Sequence, residues 1–333
     1  MSDRAALRLA TRGSPLALWQ AHRVAGLLER AGVASSLVVV ETEGDRRVDV
    51  PLQHLGGQGV FVREVQAAVV RGDVDAAVHS AKDLPASEEL GVPGLVLACF
   101  PERADARDVL VGGGVRTLPT GSTVATGSAR RRVQLANLRP DLTFADLRGN
   151  LATRLAVVGE GGVAAVVVAR AALDRLGWDP PEGMDLEVLD PATMLPQVGQ
   201  GAIAVECRVD DRATRAALGA IDDPVVHRLV DAERAFLSEL GGGCTLPVGA
   251  HAELVRESAA SPGGDGPPIR LAGMLAGSDG QVVLRHEQTG DRGDALGRAV
   301  ARFLLDDAGG SDLAEWASSP DDGDPERPPR GWQ

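Results

Sequence analysis

Residues 75–85 have the sequence DAAVHSAKDLP, in which a short apolar run stops at polar and charged residues. The run predicts a buried strand over 75–80 and places Lys82 and Asp83 just beyond the strand end. Buried strands that alternate with amphipathic helices are typical of a largely parallel sheet with helices on its faces. This stretch therefore predicts an α/β fold that carries polar groups at the edge of its sheet.

The same alternation extends to both sides of this strand. On its N-terminal side, strands are predicted at 6–11 and 36–42, and the first helix begins at Ser14 and Pro15, which form an N-cap signal. After a connector near 101–107 the pattern restarts, with predicted strands at 123–126, 143–147, 163–169 and 202–209. Two similar α/β units with a return strand indicate two lobes around a cleft, where ligands of such folds bind at strand ends.

The predicted order of helices and strands changes from about residue 222. A long amphipathic helix is predicted over 225–240, and three strands and a final helix follow it, which indicates a small α+β domain. The last residues are rich in Pro, Asp, Ser and Gly, a composition typical of disorder. The predicted domains are a first lobe of residues 1–101 with 202–220, a second lobe of 104–197, an α+β domain of 222–308 and a disordered acidic tail of 309–333.

Composition narrows the range of functions. The chain has 333 residues, 34 basic and 47 acidic side chains and a net charge of −13, which argues against a general nucleic-acid binder. The sequence has neither a stretch near 18 uninterrupted apolar residues nor a secretory signal, so we expect no membrane span and a cytoplasmic location. The three cysteines are far apart and the six histidines lack metal-ligand spacing, which predicts no metal site.

Arginine is concentrated in one part of the chain. Residues 123–175 contain eight arginines and four acidic residues, and several of these arginines follow predicted strands. Guanidinium groups bind carboxylates and phosphates through two parallel hydrogen bonds, and helix N-termini add backbone donors. The set favours a cleft for a small, multiply anionic ligand, although each arginine taken alone fits an ordinary surface position equally well. The chain's single lysine, Lys82, lies in the other lobe beside Asp83.

Two other side chains have both a structural and a chemical interpretation. Asp83 is either a salt-bridge partner of a nearby arginine or a group that steers proton transfer and stabilises a developing cation. Cys244 follows the glycines Gly241–Gly243, so it is either an inert loop cysteine or a covalent attachment point that reaches the cleft. Cys99 and Cys207 lie in apolar segments and are interpreted as structural.

Five motifs together resemble the porphobilinogen deaminase family, in the family's order and spacing. They are LATRGSPLALWQA (9–21), AVHSAKDLP (77–85), DLRGNLATRL (146–155), QVGQGAIAVECR (197–208) and GGGCTLPVGA (241–250). The resemblance covers roughly residues 6–308. It implies three domains, of which the first two are similar to periplasmic solute-binding proteins around a cleft. It also implies a transferase that joins four porphobilinogen molecules head to tail, releases ammonia at each step and yields hydroxymethylbilane for tetrapyrrole (haem) biosynthesis.

The resemblance also implies roles for individual residues. Asp83 matches the catalytic aspartate, which stabilises an azafulvenium-like cation and assists protonation of the leaving amine. Cys244 matches the cysteine that holds a dipyrromethane cofactor, made of two substrate-derived rings, through a thioether. The positions that match cofactor-binding groups are Lys82, Ser128, Arg130 and Arg131. The positions that match groups binding substrate carboxylates are Arg12, Ser14, Arg148, Arg154 and Arg175, and further cleft positions are Thr126 and Gln200.

The chain departs from the family's pattern at three positions. His54 and Gln58 stand where many relatives have lysine, in a loop regarded as a mobile lid, and Gly127 replaces a common serine. Two rival functions are a non-catalytic solute-binding or ligand-sensing protein and a catalytically inactive homologue. The intact Asp83 and Cys244 and the absence of a signal peptide favour the transferase. We expect a monomer whose partner is the small molecule porphobilinogen, with neither nucleic acid nor membrane.

Overall fold

The computed structural model describes residues 6–41, 62–86, 91–241, 246–255, 266–313 and 316. Within these residues, thirteen strands form two sheets of five strands and one sheet of three. In chain order the strands are β1 (Leu7–Arg12), β2 (Ser35–Val40), β3 (Ala76–Ser80), β4 (Leu95–Cys99), β5 (Asp108–Val111), β6 (Thr123–Ala125), β7 (Thr143–Ala145), β8 (Val163–Ala169), β9 (Leu186–Leu189), β10 (Ile203–Arg208), β11 (Val248–Leu254), β12 (Ile269–Ala276) and β13 (Val283–Gly290).

The two large sheets share one strand pattern. Their orders are β2-β1-β3-β10-β4 and β7-β6-β8-β5-β9. In each, the first three strands are parallel and the fourth is antiparallel to both of its neighbours. The parallel part agrees with the sequence prediction, whereas β4, β5 and β9 were not predicted. The fourth strands are β10 and β5, and each comes directly after a strand of the other sheet in the sequence. The chain therefore passes between the lobes twice.

Eight α-helices occur among the described residues, and those beside the large sheets cover the sheet faces. They are α1 (Pro15–Arg30), α2 (Arg63–Val70), α3 (Ala129–Leu138), α4 (Leu151–Ala156), α5 (Arg170–Leu176), α6 (Arg212–Gly219), α7 (Pro224–Glu239) and α8 (Gly293–Arg302). Four of them begin just after a strand with a side chain that accepts a hydrogen bond from a first-turn backbone N–H. These capping residues are Ser14, Ser128, Asn150 and Asp211.

The third sheet is an antiparallel meander covered on one face by α7 and α8. Its core is formed by Phe236 of α7, Ile269 of β12 and Val300 of α8, all fully buried. The two helices cross closely at Gly297, where a Cβ atom would lie 2.4 Å from the carbonyl oxygen of Ala232. The predicted fold class of two α/β lobes with a small α+β domain is therefore confirmed. The domain boundaries given above stay a prediction.

The start of the predicted disordered tail belongs to the third domain. Residues Gly310–Asp312 form a 3₁₀ turn, and Gly310 is buried. Trp316 is only 8% exposed and its indole N–H donates to the carbonyl oxygen of Ala276 at 3.0 Å. The prediction of disorder from residue 309 is thus wrong for 309–313 and for Trp316, because burial of one indole outweighs the polar composition around it. Residues 317–333 lie outside the described residues.

This contact predicts a stability effect. Trp316→Ala should lower the free energy of unfolding by about 3–5 kcal/mol, since it removes a buried indole and leaves the carbonyl of Ala276 without its donor. Urea unfolding followed by circular dichroism measures the change. Val282→Ala, at an exposed residue of the same domain, is the control and should be nearly neutral. Equal midpoints for the two variants would show that the tail does not stabilise the domain.

Candidate active site

The first lobe places charged side chains at one edge of its sheet. Because β1 and β3 are parallel neighbours, their carboxyl ends meet there, with Arg12 at the end of β1. Lys82 and Asp83 lie in a 3₁₀ turn directly after β3, and both are half-buried. The amide of Gln20 in α1 donates to Ser80 Oγ at 2.8 Å, which ties the first helix to the end of β3.

The second lobe presents the start of α3 in the same way. Thr126 is buried after β6, and its hydroxyl accepts a hydrogen bond from the backbone N–H of Ser128 at 3.2 Å. Between them a Cβ atom at Gly127 would lie 2.9 Å from the carbonyl oxygen of Leu147, so this loop leaves little room for a side chain there. Arg130 and Arg131 follow in the first turn of α3 and are both buried.

A buried aspartate that the sequence analysis did not identify binds both arginines. Asp108, the first residue of β5, is fully buried and accepts hydrogen bonds from Arg130 Nη1 at 2.7 Å and from Arg131 Nη2 at 2.7 Å. Burial by itself would raise the pKa of Asp108, but the two guanidinium groups hold it well below its usual range. A charged residue at the start of the apolar run DVLV was the available signal in the sequence.

Gln200 joins this aspartate to the lysine of the first lobe. Its Nε2 donates to Asp108 Oδ1 at 2.9 Å, and its Oε1 accepts from Lys82 Nζ at 3.3 Å. Burial lowers the pKa of Lys82 to about 8, and the positive charge of Arg131 acts in the same direction. Asp83 and Asp108 oppose this shift. The structure thus brings the candidate residues Lys82, Gln200, Arg130 and Arg131 into one network through Asp108.

Asp83 faces the second lobe as well. Burial lowers the pKa of Arg154, the nearby Arg131 and Arg148 act in the same direction, and Asp83 opposes them. Asp83 therefore lies within electrostatic range of Arg154 across the cleft. Arg154 also donates from Nε to the carbonyl oxygen of Gly149 at 2.8 Å, which fixes its side chain against the loop before α4.

Arg175 occupies a different environment from the other arginines. It is buried, and its Nη2 donates to the carbonyl oxygen of Gly201 at 2.7 Å. The guanidinium carbon lies 5.3 Å from the centre of the Trp19 ring of α1, within the range of a cation–π contact. The side chain thus bridges α5 of the second lobe and α1 of the first, next to the connection between the lobes.

The third domain is attached to the connections between the lobes by a buried glutamate. Glu233 of α7 accepts hydrogen bonds from Arg103 Nη1 at 2.8 Å, from the backbone N–H of Gly199 at 2.8 Å and from that of Ala252 at 2.8 Å. Neither Glu233 nor Arg103 was predicted from the sequence. Together they join strand β11 to the two segments that connect the lobes, at a single point.

A small recess lies between α3, the segment at 197–198 and the start of β11. Its lining includes Ser128, Arg130 and Leu246. Arg130 Nε is buried without a hydrogen-bond partner among the described residues. Leu246 directly follows residues 242–245, and Cys244 therefore lies outside the described residues, as do His54 and Gln58.

Within the part of the chain that the structure describes, none of the helices has both the length and the apolar character that a membrane crossing needs. The same residues contain no group of three or more His, Cys, Asp or Glu side chains that could hold a metal ion.

Two family models match the chain. The first, described as "Porphobilinogen deaminase, dipyromethane cofactor binding domain", matches residues 7–216, and the second, "Porphobilinogen deaminase, C-terminal domain", matches residues 227–306. A protein named porphobilinogen deaminase from Syntrophobacter fumaroxidans is 43% identical over 313 residues, which cover 92% of this chain and 96% of that protein. One of the same name from Acidothermus cellulolyticus is 44% identical over 308 residues, which cover 90% of this chain and 88% of that protein.

Similar solved structures include two proteins of low sequence identity. The periplasmic VFT2 domain of Bordetella pertussis BvgS is 18% identical with a TM-score of 0.41, over 71% of this chain and 92% of that chain. The methionine-binding protein MetQ is 13% identical with a TM-score of 0.39, over 66% of this chain and 91% of that chain. These scores are too low to support any conclusion about this chain.

Proposed function

The chain belongs to the porphobilinogen deaminase family, and on that premise we propose which of its residues carry out the family's reaction. The enzyme is a transferase, a hydroxymethylbilane synthase with a dipyrromethane cofactor. It joins four porphobilinogen molecules head to tail into hydroxymethylbilane and releases ammonia at each step, in tetrapyrrole (haem) biosynthesis. The observation that carries the residue assignment is one hydrogen-bond network between the lobes. Lys82, beside Asp83 in the first lobe, donates to Gln200, and Gln200 donates to the Asp108 that binds Arg130 and Arg131 of the second lobe.

Asp83 is the proposed catalytic residue. Loss of ammonia from porphobilinogen leaves an electrophilic, azafulvenium-like cation, and a fixed carboxylate beside the pyrrole N–H stabilises that charge. The same carboxyl group assists protonation of the leaving amine. The 3₁₀ turn after β3 and the half-buried position of Asp83 support this role, because they hold the carboxylate at the cleft edge.

The substrate carboxylates require cations around the cleft. Each pyrrole carries an acetate and a propionate, so every added ring brings two negative charges that fork-shaped guanidinium groups match. The proposed carboxylate-binding residues are Arg12, Ser14, Arg148, Arg154 and Arg175. Arg175 is the least accessible of them, since its Nη2 donates to Gly201 and its guanidinium lies over Trp19. We propose that it exchanges the Gly201 carbonyl for a substrate carboxylate.

The proposed cofactor-binding residues are Cys244, Lys82, Ser128, Arg130 and Arg131. When bound, a dipyrromethane supplies the pyrrole carbon to which the first substrate ring is joined. The described residues fit such a polycarboxylate, because Arg130 lines the recess beside Leu246, two residues after Cys244, and its Nε has no hydrogen-bond partner among them. Cys244 holds the group through a thioether. Thr126, which fixes the loop before α3, and Gln200, which contacts Lys82, complete the proposed cleft.

Three further proposals concern the whole molecule. We propose that the enzyme is a monomer, that it is cytoplasmic and that its domains follow the boundaries predicted from the sequence, except that the third domain continues past residue 308 to Trp316. Size-exclusion chromatography with light scattering tests the first of these. A mass of twice the 34.5 kDa of one chain at micromolar concentration would contradict the monomer.

The proposed cofactor attachment predicts a mass difference. The protein purified from a host that makes porphobilinogen should be heavier than its sequence by about two pyrrole units, and the extra mass should survive denaturation because a thioether is covalent. Intact-mass spectrometry under denaturing conditions measures it, and peptide mapping assigns it to the peptide that contains Cys244. A protein of unmodified mass from such a host would contradict the proposal.

A further inference from the structure

The carboxylate of Asp108 receives hydrogen bonds from two separate parts of the chain. Its Oδ2 accepts from Arg130 Nη1, and its Oδ1 accepts from Arg131 Nη2, from Arg131 Nε at 3.1 Å and from Gln200 Nε2. All four residues are at least nine-tenths buried. Two guanidinium groups in such a place are costly without a counter-charge, because burial takes both of them out of water. Asp108 supplies that counter-charge.

Gln200 carries the effect of this carboxylate to Lys82. An amide has one oxygen and one NH₂ group, and Gln200 Nε2 donates both to Asp108 Oδ1 and to the carbonyl oxygen of Ala106 at 2.7 Å. Its Oε1 is therefore turned the other way, where it accepts from Lys82 Nζ. The direction of the amide is set by Asp108, and the amide in turn fixes the position of the ammonium group.

We propose that Asp108 is the positioning residue of the cofactor-binding cations: it orients Arg130 and Arg131 directly and Lys82 through Gln200. Three cations and one carboxylate leave a surplus of two positive charges, which is available to a ligand that carries carboxylates. Without Asp108 the three cations would repel one another, and the two arginines would turn away from their present partners. This inference rests on the proposed cofactor role of these cations, but the geometry of the cluster is independent of that role.

The single lysine of the chain makes the cluster directly measurable. Amine-reactive reagents modify only Lys82 and the N-terminal amine, so the rate of Lys82 acetylation against pH, read by peptide mass spectrometry, gives its titration curve. The charged groups that face Lys82 are Arg130, Arg131, Asp83 and Asp108. An ammonium is unreactive below its pKa and reactive above it, so loss of a nearby negative charge moves the midpoint to lower pH.

Compared with the wild type at equal cofactor loading, Asp108→Asn should lower the midpoint of Lys82 by about one pH unit. Asp141→Asn, which removes another arginine-paired carboxylate of the second lobe, is the matched control and should leave the midpoint unchanged. Gln200→Leu removes the acceptor of Lys82 but keeps Asp108, and it should also lower the midpoint. If Asp108→Asn does not fold, the midpoint measured in Gln200→Leu tests the proposal. Midpoints equal to the wild type in the folded variants would overturn the proposal.

A second measurement separates this inference from the proposed function. The fraction of Asp108→Asn molecules that carry the extra cofactor mass should fall at least severalfold, while Asp141→Asn stays fully loaded. Full loading of Asp108→Asn would overturn the positioning role. If the wild-type protein itself carries no extra mass, the cofactor proposal fails, and the titration of Lys82 still decides whether Asp108 orients the cluster.

Discussion

Cys244→Ala should abolish the covalent cofactor and with it the formation of hydroxymethylbilane. Alanine has no sulfur, so the thioether cannot form, and intact mass should equal that of the polypeptide alone. The expected loss of activity is complete rather than partial, because the remaining side chains bind carboxylates but offer no attachment point. The substitution leaves the core residues Phe236, Ile269 and Val300 of the third domain unchanged, and the fold should be retained.

The matched control for this variant is Cys207→Ala. Cys207 is fully buried in β10, where burial raises the pKa of its thiol to about 11 and keeps it unreactive. Its replacement should lower stability slightly through a small cavity while the extra mass and the activity remain. Extra mass that persists in Cys244→Ala, or disappears in Cys207→Ala, would remove Cys244 from its assigned role.

Asp83→Ala should retain the fold and the cofactor mass but lower kcat by about 10²–10⁴-fold. This range is what a lost proton donor or a lost stabilising charge costs an enzyme. Asp83 is half-buried and outside the hydrophobic clusters, so its removal should change the thermal midpoint little. Ammonia release in a single turnover measures the effect at the step where the cation forms.

Asp73→Ala provides the comparison within the same lobe. Asp73 pairs with Arg71 on the surface, where both side chains are more than half exposed, and its removal should alter neither stability nor rate. Asp83→Asn adds a test of charge against shape, because it keeps the volume and removes the carboxylate. Normal ammonia release by Asp83→Ala or Asp83→Asn would show that another group performs the chemistry.

The sequence predicts well those features that depend on neighbouring residues. The strand over 75–80, the helix that begins at Pro15 and the polar groups after β3 are all local patterns of burial and capping, and the structure contains them. The strands β4, β5 and β9 are short apolar runs without a distinctive period and, unlike the similarly short β6 and β7, they do not lead into a predicted helix. They become strands because of the partners that they meet in the sheet.

The residues that were not predicted depend on partners that are distant in the sequence. Asp108 gains its importance from Arg130 and Gln200, which are 22 and 92 residues away in the sequence. Trp316 stands in a segment of disordered composition, and its contact with Ala276 spans 40 residues. Pairings over such distances leave no mark on local composition or periodicity. A family resemblance supplies the positions of the ligand-binding side chains, but not the buried residues that hold them.

The position of β10 has a consequence for the order in which the molecule is built. β10 lies between β3 and β4 in the first sheet, and among the described residues β4 pairs with no other strand. All five strands of the second sheet, by contrast, lie within residues 108–189. A ribosome therefore releases every strand of the second lobe before the one that completes the first. The lobe that begins the sequence is therefore the later of the two to be completed. Until β10 has been made, β4 has no strand partner, and the unpaired strand edges of the first sheet are open to aggregation.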